Sequence, residues 1–146
     1  MTKQEEIVQA AQLARSQFGT VTLLINNAGI VHGKKILDIT ERDLKKTFDV
    51  NSISHVLLIK EFLPDMMKLN KGHIVSISSL AGLVGVPGLG DYCGSKFAAF
   101  GIDESLRLEL KNLKSNVVTT CVCPFFINTG MFEGVKTNFP LLPMLE

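Results

Sequence analysis

Tyr92 and Lys96 stand four residues apart, so on a helix a phenol and an ammonium leave the same face one turn apart. A cation beside a phenol favours the phenolate. The spacing therefore predicts a Tyr92 whose pKa is lowered by Lys96 and which can exchange a proton with a carbonyl or alcohol oxygen. Ser79, thirteen residues before Tyr92, supplies a hydroxyl that can hold the same oxygen by donating a hydrogen bond. Lys96 can also hydrogen-bond a cofactor ribose. Each piece has a plainer reading beside the chemical one. Tyr-x-x-x-Lys spacings recur by chance on solvated helix faces, and a lone serine ahead of a glycine-rich loop is a turn or capping residue.

The elements that must hold these groups alternate between helix and strand. Glu5 to Phe18 carries Ile7, Val8, Ala11 and Leu13 among polar residues and meets a stop at Gly19. Val21 to Ile25 is a short apolar run, as a buried parallel strand requires. Thr40, with Asp43 three residues on, marks a helix start, and Ile39 and Leu44 are placed as a hydrophobic staple. Leu44, Phe48, Asn51, His55, Leu58 and Phe62 then share one face. His73 to Ser78 reads as a second strand, Ala81 to Gly90 as a loop, Tyr92 to Leu113 as a helix, and Val117 to Cys123 as a third strand ended by Pro124. In the last helix Ala99, Ile102, Leu106, Leu110 and Leu113 form an apolar face, while Gly94, Ala98 and Gly101 permit close packing on another. This alternation predicts an α/β fold with a parallel sheet, right-handed crossovers and helices on both faces. Ser79, at the C-terminal end of a strand, would then face the crevice in which such sheets bind ligands.

Asn51 is a polar residue in an apolar stripe, so it is expected to bind a water, bend the helix or bond a neighbouring backbone group. Asn26-Asn27-Ala28-Gly29 closes the first strand, where its amides either fix a turn or line a cofactor crevice. No metal site is expected: His32, His55 and His73 have no ligand spacing, and Cys121-x-Cys123 lacks a second ligand cluster. The three cysteines read as reduced strand residues. No Ser-His-Asp order accompanies Ser79, which disfavours a hydrolase.

With 146 residues, 46% of them hydrophobic, the chain can bury the core of one domain. Its 15 basic and 14 acidic side chains are interspersed, and a net charge of +1 offers no broad field for nucleic acid or anionic lipid. No apolar stretch reaches the roughly 20 residues that span a bilayer, so no membrane anchor is expected and the default compartment is the cytoplasm.

Five segments in order, Asn26-Asn27-Ala28-Gly29, Asn51, Gly72 to Ser79, Tyr92-Cys93-Gly94-Ser95-Lys96 and Pro124 to Thr129, resemble the short-chain dehydrogenase/reductase family over nearly the whole chain. The resemblance implies a Rossmann-like doubly wound parallel sheet and an NAD or NADP cofactor. By it Tyr92 is the catalytic acid/base, Lys96 lowers its pKa and binds the nicotinamide ribose, Ser79 orients the substrate carbonyl, and Asn51 continues a proton relay through water. Asn26, Ala28 and Gly29 would stabilise the sheet and border the cofactor, and Pro124 and Thr129 would contact its nicotinamide end. The family usually has glycine after that proline; here Phe125 stands instead. Leu24 to Val31 and Cys123 to Phe132 look like the retinol dehydrogenase and 17β-hydroxysteroid dehydrogenase branch. That branch implies small lipophilic alcohols as substrates and, for full-length relatives, endoplasmic reticulum or lipid-droplet membranes.

Family members begin with a strand and a glycine-rich turn whose amides receive the cofactor pyrophosphate. No such turn precedes Glu5, and the dense glycine cluster lies between Gly82 and Gly90 instead. Residues 1–146 are therefore expected to form a single partial domain, the catalytic half, truncated at both ends and lacking the N-terminal glycine-rich βαβ half. Its three strands would be the family's fourth to sixth, the first exposing an unpaired edge that favours association. Two functions follow as expectations: hydride transfer between NAD(P) and a lipophilic alcohol or carbonyl, or a catalytically silent interaction module. Dimerisation through the helices containing Asn51 and Tyr92 suits either.

Overall fold

The structure, a computed structural model, describes residues 3–127 and 130–131. Helix α1 (Gln4–Phe18) has Glu5 and Glu6 in its first turn and Arg15 in its last, each favourable toward the helix dipole, and it stops at Gly19 with φ 75°. Strands β1 (Leu23–Asn26), β2 (Gly72–Ile77) and β3 (Val117–Val122) form a parallel sheet in the order β1-β2-β3. Leu23 pairs with His73 and Asn26 with Ser76, while Gly72 pairs with Val117 and Ile77 with Val122. The alternating α/β arrangement is the one the sequence implies.

The Thr40–Asp43 start signal holds. Thr40 caps helix α2 (Glu41–Phe48) by a reciprocal capping box, its hydroxyl accepting from the Asp43 N–H while the Asp43 carboxylate accepts from the Thr40 N–H. A π-helical turn (Asp49–Ile53) then carries the chain into α3 (Ser54–Leu69). Ser52 and Ser54 donate back to the carbonyls of Phe48 and Val50, at 2.9 and 2.7 Å, bonds of the kind that bend helices. Asn51 lies inside that widened turn. Leu44, expected at the head of the buried stripe, is instead 43% exposed.

Helix α4 (Gly90–Asn112) carries Tyr92 and Lys96 in its first turns. One apolar core gathers Ala11 of α1, Leu24 of β1, Ile59, Phe62 and Met66 of α3, Ile74 of β2, Leu106 and Leu110 of α4, and Val117 of β3. Because α1, α3 and α4 reach the same cluster, they cover the same sheet face. The sequence led us to expect helices on both faces. Among the described residues only one is covered, and Leu23, Ile25, Val118 and Val122, which alternate with the core positions, remain 40 to 55% exposed. Close packing of α4 was expected at Gly94 and Gly101. A Cβ at Gly94 would meet Phe48 Cζ at 3.1 Å, whereas Gly101 faces open space.

Candidate active site

The C-terminal ends of all three strands converge on one edge. Pairing continues past the strands, with Ser78 N–H donating to Val122 O at 2.8 Å and Leu80 N–H to Pro124 O at 2.9 Å. This sets Ser79 beside Pro124. Ser79 has extended backbone (φ −170°), and its Oγ accepts from Ala81 N–H at 3.1 Å, capping the short 3₁₀ turn Leu80–Gly82. The same hydroxyl engages the Tyr92 phenol. Capping and chemistry are thus two uses of one side chain.

The loop after β2 lies directly on α4. Ser78 Oγ donates to the Lys96 carbonyl at 2.9 Å, and a Cβ at Gly82 would stand 2.5 Å from Ser78 Oγ and 2.7 Å from that carbonyl. Only glycine allows this approach. Tyr92 is 4% exposed and packs with Ala81 and Cys93 against Val31, Val86 and Leu89. Burial raises its pKa above the usual phenol value, and the Ser79 hydrogen bond opposes that rise. The sequence predicted the reverse, a phenol lowered by Lys96. Desolvation sets the direction, and the Lys96 ammonium lies 5.7 Å from the Tyr92 ring centroid and donates to Ile77 O at 2.7 Å. Burial also lowers the Lys96 pKa to about 8, opposed by the charges of Cys121 and Cys123.

Asn51 is fully buried and holds the loop after β1. Its Nδ2 donates to Ile30 O at 2.9 Å and to Ser95 Oγ at 3.0 Å, and its Oδ1 accepts from Ile30 N–H at 2.8 Å. Ser95 in turn donates to Tyr92 O at 2.8 Å. Gly29 lies next to both machinery groups, its Cβ direction ending 3.5 Å from Lys96 Nζ and 3.6 Å from Asn51 Oδ1. Asn26 is different. Its side chain is buried beneath the edge with neither amide atom hydrogen-bonded, and Asn27 reaches the crevice in its place.

Two clefts meet here. An apolar one is walled by Leu80, Val84, Val86, Leu89 and Phe126; the other is lined by Asn27, Ala28, Gly29, Ile77 and Lys96. Ser79, Tyr92, Pro124 and Phe125 belong to both. A molecule in the apolar cleft and one in the second crevice would therefore face each other across the two hydroxyls. Thr129, expected at the nicotinamide end, lies outside the described residues.

Spacing gave no notice of a third group. Thr47 Oγ1 donates to Asp91 Oδ2 at 2.9 Å, and His32 Nδ1 lies 3.0 Å from the former and 3.2 Å from the latter. This buried cluster ties the loop after β1 and the end of α2 to the turn that bears Tyr92. The position of Asp91 next to Tyr92 was the one available hint.

The sequence matches the short chain dehydrogenase family over residues 1–139. The chain belongs to that family. Among curated relatives of this short-chain dehydrogenase, it is 51% identical to human (Homo sapiens) epidermal retinol dehydrogenase 2 over 147 residues, covering 99% of the chain and 48% of that protein. It is 50% identical to short-chain dehydrogenase/reductase family 16C member 6 of Bos taurus, covering 99% of the chain and 46% of that protein. It is 44% identical to estradiol 17-beta-dehydrogenase 11 of Pongo abelii, covering 99% and 48%. A short-chain dehydrogenase/reductase from Burkholderia phymatum, solved in complex with NAD, superposes with a TM-score of 0.84 at 32% identity over 86% of this chain and 45% of that one. The chain thus has a Rossmann-type oxidoreductase fold and spans about half the length of the curated relatives it matches. No helix among the described residues is long and apolar enough to cross a membrane.

Proposed function

We propose that this chain supplies the proton-transfer half of an NAD(P)-dependent oxidoreductase acting on a small lipophilic alcohol or carbonyl of the retinoid or hydroxysteroid class. The observation that carries the reading is the junction of the two clefts at Ser79 and Tyr92. An apolar wall on one side suits a lipophilic substrate. On the other side, Lys96 and the backbone of Asn27 to Gly29 offer hydrogen-bonding groups to a nicotinamide ribose, with Pro124 and Phe125 closing the nicotinamide end. A bound nicotinamide cofactor would supply or accept the hydride.

In this reading Ser79 donates a hydrogen bond to the substrate oxygen, and Tyr92, holding its proton because it is buried, gives it to that oxygen in reduction. Lys96, with a pKa of about 8, is still cationic at neutral pH and favours the phenolate that remains. Asn51 fixes the crevice wall through Ile30. Both its N–H donors are engaged, which leaves one Oδ1 lone pair to hold a relay water. Residues 1–146 act as one partial domain, and the pyrophosphate end of the cofactor depends on residues beyond those that line this crevice.

The test is titration of NAD(H) and NADP(H) against the chain and against a full-length relative, with retinol turnover measured beside Tyr92→Phe. Saturable binding with turnover lost in Tyr92→Phe is the expected result. Turnover that survives Tyr92→Phe would overturn the assignment.

A second reading is favoured by a groove between α3 and α4, walled by Val56, Leu63, Met67 and Ile102. In it the chain associates through these helices with a second copy or a full-length relative and is itself catalytically silent. Mixing with a tagged relative and measuring mass by light scattering tests this, and failure to associate removes it.

A further inference from the structure

Cys121 lies in β3 and Cys123 just past its last residue, with one residue between them, so in extended chain their side chains leave the same side. Val117, on that same side, belongs to the core shared with Leu106 and Leu110, and Thr119 Oγ1 donates to Asp103 of α4 at 3.2 Å. The two sulfurs therefore lie on the α4 side, 4.0 Å apart and in contact. Lys96 is close enough to both for their charges to act on it. Both thiols are only half-buried. The third cysteine, Cys93, is buried elsewhere, its Sγ accepting from Val86 N–H at 3.3 Å.

Two residues of extended strand span about 6.6 Å, near the upper end of the Cα separations, about 4.4 to 6.8 Å, that a disulfide accepts. The sulfurs can be joined, but under strain. Val122 between them is held by its pairing with Ile77 and by the bond from Ser78 N–H to its carbonyl, so the movement that closes the ring falls on Cys123, just past the last residue of β3, and the strained bond would be readily reduced.

We propose that Cys121 and Cys123 form a reversible redox-modification site, a dithiol that small disulfides such as oxidised glutathione convert to an intrachain disulfide. Burial pushes the Cys121 thiol up to about 12, which disfavours Cys121 as the first nucleophile. The Cys123 thiolate attacks one sulfur of oxidised glutathione and expels one glutathione thiolate. Cys121 then attacks Cys123 Sγ, loses its proton to solvent and expels the second. Two protein thiols are oxidised to one disulfide while one glutathione disulfide is reduced to two thiols. Closing the ring draws Cys123 toward Cys121 and carries with it Pro124 and Phe125, the wall common to both clefts.

The site is tested by equilibrating the folded chain in mixtures of reduced and oxidised glutathione, blocking free thiols with N-ethylmaleimide and weighing tryptic peptides. Cys121 and Cys123 fall on one peptide, between Lys114 and Lys136, and Cys93 on another ending at Lys96. The expected result is a Cys121–Cys123 peptide lighter by two hydrogens and unlabelled, restored by excess reduced glutathione, while Cys93 stays reduced and so reports that the chain remained folded. Cys121→Ser should stop at a Cys123–glutathione adduct. A wild-type peptide that stays a dithiol, stops at the adduct or links two chains would overturn the site. Tyr92 is the only tyrosine and tryptophan is absent, so the emission of the chain reports Tyr92 alone. Ring closure should change that emission, and an unchanged spectrum would remove the link to the cleft wall. Peptide mass is read without cofactor or substrate, so it separates failure of this site from failure of the oxidoreductase reading.

Discussion

Asn51 grips Ile30 at both of its backbone polar groups, donating to the carbonyl at 2.9 Å and accepting from the N–H at 2.8 Å. A residue in the middle of a helical rod thereby holds a loop twenty-one residues away as a strand partner would. Asn51→Ala removes these bonds and the one to Ser95. The expected loss is roughly 3 kcal/mol, three hydrogen bonds at about 1 kcal/mol each, read from the urea midpoint. Asn51→Asp, which keeps the acceptor and loses both donors, should not rescue it.

The phenolate of a single tyrosine can be titrated by its absorbance with no background. The Tyr92 midpoint is expected above the ordinary phenol value, because burial disfavours the charge. Ser79→Ala removes the hydrogen bond that opposes this, so its midpoint should move higher still. A midpoint that moved down in Ser79→Ala would contradict the contact.

Lys96 titrates near 8 when folded and near 10.5 when unfolded. Between these values the unfolded chain binds more protons, so this group makes stability rise with pH through that window; the contribution is complete above it and lost as pH falls through 8. The expected size is about 3 kcal/mol. Lys96→Met should flatten that rise in urea melts taken at intervals of pH.

His55, 2% exposed, makes no hydrogen bond of good geometry through either ring nitrogen, and burial lowers its pKa from 6.5 to about 4, helped by the Lys96 charge and slightly opposed by the Ala28 backbone. The same sign applies. Its contribution is present above pH 6.5 and lost as pH falls through 4, which makes it a source of acid lability. His55→Leu should keep its thermal midpoint nearly constant between pH 6.5 and 4 where the parent falls.

Much of this was legible because it is local. The Thr40–Asp43 capping box, the Gly19 stop and the placing of Tyr92 and Lys96 one turn apart on α4 depend on residues close in sequence, and all three are found in the structure. What escaped reading depends on distance and burial. Thr47 and Asp91 are 44 residues apart, so no periodicity joins them. The proximity of Lys96 to Tyr92 was readable, but the depth to which Tyr92 is buried was not, and burial decided the sign of its pKa shift. Asn26 and Asn27 could not be told apart until the strand alternation placed one inside and the other at the crevice.

The sheet face bearing Leu23, Ile25, Val118 and Val122 has a practical consequence. Dyes such as anilinonaphthalene sulfonate fluoresce on exposed apolar surface and are read as signs of a molten state. Among the described residues the fold already offers them an aliphatic platform on two outer strands. Dye fluorescence should therefore be highest in the folded chain and fall on denaturation, so a bright dye signal with sharp urea cooperativity is the signature of this fold.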